Sequence, residues 1–85
     1  MKMEKLKEQT FLVKYFSKDG EYLDFFRHGC KKLSTVLARE RKWVTSCWAR
    51  KYTDDTVMLV YQPDDDDKDN LILKTTKRDF LDGQN

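Results

Sequence analysis

Nucleophilic catalysis needs a nucleophile held beside a base, and this 85-residue chain offers few partners for one. Its single histidine, His28, stands two residues from Cys30, so a thiol–imidazole pair at a junction between elements is the arrangement to weigh. Catalytic partners usually converge from separate segments, which makes close sequence neighbours a poor signal. The competing reading, a buried Cys30 and a solvent-facing His28, is preferred, and no catalytic residue is assigned. Zinc fails on spacing: Cys30 and Cys47 lie 17 residues apart and, with His28, supply three ligands without a CxxC or HxxxH pattern. Asp64, Asp65, Asp66 and Asp67, with Asp69, are able to attract a divalent cation. The run lacks the glycine and glutamate that a calcium loop requires, so it reads as a solvated, self-repelling loop. Three glycines in the whole chain leave no Gly-rich phosphate cradle. Neither metal nor cofactor is expected.

The charge pattern says more. Residues 27–51 carry eight basic groups against one acid, Glu40, whereas residues 53–70 carry seven Asp against Lys68. A net charge of +2 conceals this alternation and is a poor guide to partners. On a helix, Lys31, Lys32, Arg39, Lys42 and Arg50 fall away from the apolar stripe, beside Ser34, Thr35, Thr45 and Ser46. Cations and small hydroxyls on one surface suit phosphate oxygens, which makes nucleic acid a possible partner. A solvated outer face matching the acidic loop is the competing reading, and no base-reading motif is present.

The elements that must position these groups follow from periodicity. Residues 10–16 are rich in β-branched and aromatic residues, Asp19-Gly20 supplies a turn, and residues 21–26 return, which predicts a hairpin. Phe11, Val13 and Tyr15 share the expected core face, with Leu23 and Phe25 opposite them. At positions 33, 36, 37, 40, 43, 44, 47, 48 and 51 stand Leu, Val, Leu, Glu, Trp, Val, Cys, Trp and Lys. This i, i+3, i+4, i+7 pattern predicts one helix over residues 30–51, about 33 Å long. A strand over residues 43–52 competes with its last two turns, where Val44 and Thr45 are β-branched. If the helix holds, Cys30 and Cys47 are too far apart for a disulfide. Strands are expected at 56–62 and 71–75, and a closing helical turn at 77–81. The expected fold is α+β, in the order β-β-α-β-β: an antiparallel-rich four-stranded sheet with one long amphipathic helix on one face. Strand order is open.

The length fits one domain, assigned to residues 10–82, with a charged lead-in at 1–9 and a frayed end at 83–85. Charged residues reach 38%, but five Phe, four Tyr and two Trp argue for a packed core over disorder. No stretch is apolar enough to span a bilayer, so no membrane partner is expected, and the expected compartment is the cytoplasm. One helix covers one face of such a sheet. Leu12, Phe16, Tyr22, Phe26, Met58, Val60 and Ile72 are expected on the other, an apolar surface of the kind that marks an interface. The leading expectation is a non-catalytic protein–protein module (adaptor, subunit or inhibitor), with a homodimer as the simplest case. The alternative is nucleic-acid binding along the basic helix face.

Overall fold

The computed structural model describes residues 9–63 and 69–83. The lead-in before residue 9, the acidic run at 64–67 and the last two residues lie outside the described residues.

Strands β1 (Gln9–Phe16) and β2 (Tyr22–Cys30) form the expected hairpin. Its turn is closed by the Gly20 amide donating to the Ser17 carbonyl at 2.9 Å, and by Ser17 Oγ accepting from the Asp19 and Glu21 amides. Gly20 takes a φ of 90°, a conformation that costs a residue with a Cβ and costs glycine little. Helix α1 (Leu33–Val44) and a short 3₁₀ turn (Cys47–Ala49) follow, then β3 (Val57–Pro63), β4 (Asp69–Thr76) and α2 (Lys77–Asp82). The four strands form one antiparallel sheet in the order β2-β1-β3-β4. The α+β class stands.

The helix is about half the expected length, for two reasons. At its start, β2 runs on to Cys30, because residues 27–30 pair with Gln9 to Leu12 of β1. At its end, Thr45 Oγ1 donates to the Arg41 carbonyl at 2.8 Å and Ser46 Oγ to the Trp43 carbonyl at 2.7 Å. The Arg41 carbonyl keeps its bond from the Thr45 amide at 3.2 Å, whereas the Trp43 carbonyl takes the Ser46 amide at 3.0 Å and the Ser46 hydroxyl in place of the Cys47 amide that a continued helix would offer. The chain therefore leaves the helix although the apolar spacing continues. Trp48, expected on the buried stripe, is 77% exposed, and Ala49, expected off it, is buried.

Core-facing residues run in rows across the strands. Phe26, Val13, Val60 and Leu73 form one row, and Asp24, Tyr15, Met58 and Thr75 form the next. Val36 and Val44 of α1 pack against them, as does Phe80 of α2. Helix α2 is anchored by Thr76, whose hydroxyl accepts from the Asp79 amide at 3.2 Å. Arg41 of α1 donates to the Leu81 carbonyl at 3.2 Å, so α2 shares the face that α1 covers. Among the described residues, neither helix lies over the other face of the sheet.

Candidate functional site

Two features invite a functional reading, and the first is a buried polar cluster. Glu40 lies on the core-facing side of α1 and is 2% exposed. Tyr15 of β1 donates its hydroxyl to Oε1 of Glu40 at 2.5 Å, and His28 of β2 bonds Oε2 through Nε2. Alongside, Tyr52 donates to Asp24 Oδ2 at 2.6 Å and accepts from Trp43 Nε1 at 3.0 Å, while Lys51 Nζ stands 3.2 Å from Asp24. The Tyr15 and Tyr52 rings meet at a centroid distance of 4.8 Å and join the two halves. Burial raises the pKa of the Tyr15 hydroxyl far above that of ordinary tyrosine; the charge of Glu40 and the hydrogen bond to it add to the effect. Tyr52 is raised as well, by burial and then by its bond to Asp24, against a smaller opposing bond from Trp43.

This cluster is saturated. Among the described residues, every buried side-chain nitrogen or oxygen has a hydrogen-bond partner. The Cys30 thiol donates to the Lys32 carbonyl at 3.4 Å, whereas His28 is engaged with Glu40. The expectation of a solvent-facing His28 is therefore corrected: it stands on the core face of β2, opposite Phe11, because Glu40 supplies a polar partner there. Such a network ties α1 to β1 and β2 and fixes the helix on the sheet.

Concavities among the described residues lie elsewhere. A shallow cleft of about 430 Å³ sits between the hairpin turn and the segment before β3, lined by Ser17, Glu21, Lys51 and Thr56 among others. A groove of about 170 Å³ lies between the helices, lined by Leu37, Leu73 and Phe80. His28, Cys30 and Glu40 line neither. Among the described residues, no cluster of three His, Cys, Asp or Glu side chains has the makings of a metal site.

The second feature is the open face of the sheet. Its cross-strand neighbours form three rows: Tyr22, Phe16, Val57 and Thr76; Phe25, Lys14, Leu59 and Lys74; Arg27, Leu12, Tyr61 and Leu71. The rows cover about 14 Å across the strands and about 14 Å along them. Eight of the twelve positions are aromatic or aliphatic, three are cations and none is acidic. Tyr22 is 57% exposed and Phe25 44%, and Leu71 is exposed as well. Phe16 packs edge-on to Tyr22 at 5.8 Å, and Lys14 Nζ lies 4.9 Å from the Tyr61 ring centre.

The structure sorts the expected interface residues differently from the sequence. Leu12, Phe16 and Tyr22 stand on the open face. Met58 and Val60 do not: they are 1% and 0% exposed, beneath the helices, and Phe26 packs against the same core. Ile72 is exposed at the irregularity between β3 and β4, where Val60 pairs with Leu73 and Tyr61 with Leu71. Phe25, expected in the core, is outside because the register slips between Tyr15 and Phe16 and sets Leu23 out of step. Lys14, Phe25, Arg27, Leu59, Tyr61 and Lys74 were missed as surface residues. The only sequence signal for them was Lys14 between Val13 and Tyr15, which carries parity across to its neighbours once the pairing is known.

Lys31, Lys32, Arg39, Lys42 and Arg50 are all exposed. They are divided among the connection before α1, the helix itself and the residue after the 3₁₀ turn. No described helix is long and apolar enough to cross a membrane. No family model, curated protein or solved structure matches the chain.

Proposed function

We propose that this chain is a small non-catalytic binding module, a subunit or adaptor whose working surface is the open face of its sheet. The observation that carries this reading is the composition of that face: eight apolar residues, four of them aromatic, in contiguous rows that no described helix covers. Monomeric proteins rarely leave a contiguous apolar patch of several hundred Å² in water without a use for it. The saturated cluster around Glu40 supports the non-catalytic half, since its polar groups are already spent on one another.

A protein partner or a second copy is the occupant expected from apolar content. A second copy meets an obstacle: facing copies bring Lys14, Arg27 and Lys74 against like charges with no acid among the twelve positions to relieve them. The charge favours a partner of opposite sign. The basic helix surface is the second reading, favoured by the exposure of Arg39 and Lys42, and weakened by a helix that ends at Val44.

The test is NMR mapping with small probes, phenol and 1-propanol, on the isotopically labelled protein. Contacts gathered at the rings of Phe16, Tyr22, Phe25 and Tyr61 are expected. Contacts gathered in the cleft lined by Ser17 and Thr56, with the sheet face untouched, would refute the assignment.

A further inference from the structure

We infer that the open sheet face binds single-stranded nucleic acid, with bases stacked on its aromatic rings and phosphates held by Lys14, Arg27 and Lys74. The inference rests on the preceding reading of the face and names its ligand.

Charge complementarity decides the occupant. Two of the three cations stand in the middle row and the third in the row of Leu12, so each aromatic has a cation in its own row or the next: Phe25 pairs directly with Lys14, and Tyr61 lies under the Lys14 ammonium. Single strands are gripped by this combination, since every base has a π-face and every linkage a negative charge. A flat apolar patch for a protein partner has no need of cations inside it, and charged groups are depleted from the centres of such interfaces. Lys14 stands in the middle row on a central strand, not at a rim. The face has room for about two or three bases.

A duplex fits poorly, because its bases are stacked on one another and present no free face to Tyr22 or Phe25. The four consecutive aspartates Asp64 to Asp67 in the sequence oppose any polyanion at long range, so affinity is expected in the micromolar range and to depend on salt.

The experiment is fluorescence anisotropy of a labelled oligothymidylate of about 20 nucleotides, titrated with the full chain. Three phosphate contacts on a single strand give a slope of log affinity on log salt of about −2, an approximately 20-fold loss between about 50 and about 200 mM salt. Tyr22→Ala and Phe25→Ala remove exposed rings that the fold does not need, and each should weaken binding about tenfold or more. Lys74→Ala should lower the slope by about 0.7. Arg39→Ala and Lys42→Ala, on the helix face, should change nothing, and a duplex of equal length should bind at least about tenfold more weakly. Circular dichroism of each variant establishes that it is folded.

Absence of saturable binding at low salt overturns the inference. If the small probes still gather on the face, the binding-module reading survives and its occupant is a protein. Binding that disappears with Arg39→Ala or Lys42→Ala but not with Tyr22→Ala or Phe25→Ala also overturns it, as does equal affinity for the duplex.

Discussion

Replacing Tyr15 by Phe removes one oxygen from the core and leaves its shape intact. The consequence falls on Glu40, which is 2% exposed and then keeps His28 as its side-chain partner. A hydrogen bond to a charged group contributes about 1.5–3 kcal/mol, and stranding a buried acceptor adds desolvation that no solvent relieves. The ring is conserved in the substitution, so no cavity cost arises. The expected destabilisation is about 2–3 kcal/mol. For a domain of this size total stability is roughly 4–13 kcal/mol, so the melting temperature should fall by about 10 °C or more. Urea unfolding followed by circular dichroism measures it, with the midpoint moving and the slope unchanged. Glu40→Leu removes the acceptor, and in that background Tyr15→Phe should cost less by about 2 kcal/mol, the coupling between the pair. A single Tyr15→Phe within about 0.5 kcal/mol of the parent would refute the idea that this bond holds α1 to the sheet.

Three other outcomes follow from the same architecture. The raised pKa values of Tyr15 and Tyr52 mean that the unfolded chain loses these protons first, above its ordinary value near 10.0. Stability is therefore full below that pH and should fall above it by up to about 2.7 kcal/mol per pH unit for the pair, read from urea midpoints between about pH 9 and 11; a flat profile counts against it. On β3, Met58→Ala should cost about 2–5 kcal/mol while its neighbour Leu59→Ala, on the open face, costs under about 1.5 kcal/mol. Equal costs in urea melts would mean that the strand's parity is wrong. Trp43, edge-packed on Phe26 at 5.0 Å, should cost about 3–5 kcal/mol as Ala, and Trp48→Ala under about 0.5 kcal/mol. Iodide quenching should be largely abolished in Trp48→Phe; quenching that persists unchanged would place Trp48 in the core.

The legible parts of this fold are those where one local rule had no rival. Asp19-Gly20 between two aromatic runs announced the hairpin, and Lys14 between Val13 and Tyr15 gave the face of β1. Strand β3 was visible as a strand but not in parity, because residues 57–61 are apolar at every position and either face reads as buried. That ambiguity moved Met58 and Val60 to the wrong side and hid Leu59 and Tyr61. In β2 the slip beside Phe16 exchanged the faces of Phe25 and Phe26, and a bulge of this kind leaves no mark in a period of two. The helix is over-extended in that reading because its apolar spacing continues through Cys47 and Trp48, while the backbone turns at Ser46, whose amide and hydroxyl both bond the Trp43 carbonyl. Glu40 stood on the apolar stripe in plain view. Its partners were hidden, since Tyr15 and His28 lie 25 and 12 residues away and meet it only through the sheet.

The most direct test of the open face as a surface for single-stranded nucleic acid is a set of aromatic-ring NMR spectra recorded during titration with unlabelled oligothymidylate. Binding on this face is expected to move the ring signals of Tyr22, Phe25 and Tyr61 together and to saturation, while those of Tyr15 and Phe11 beneath the helices stay in place. Movement confined to the neighbourhood of Arg39 and Lys42, or no movement at all at low salt, would contradict it.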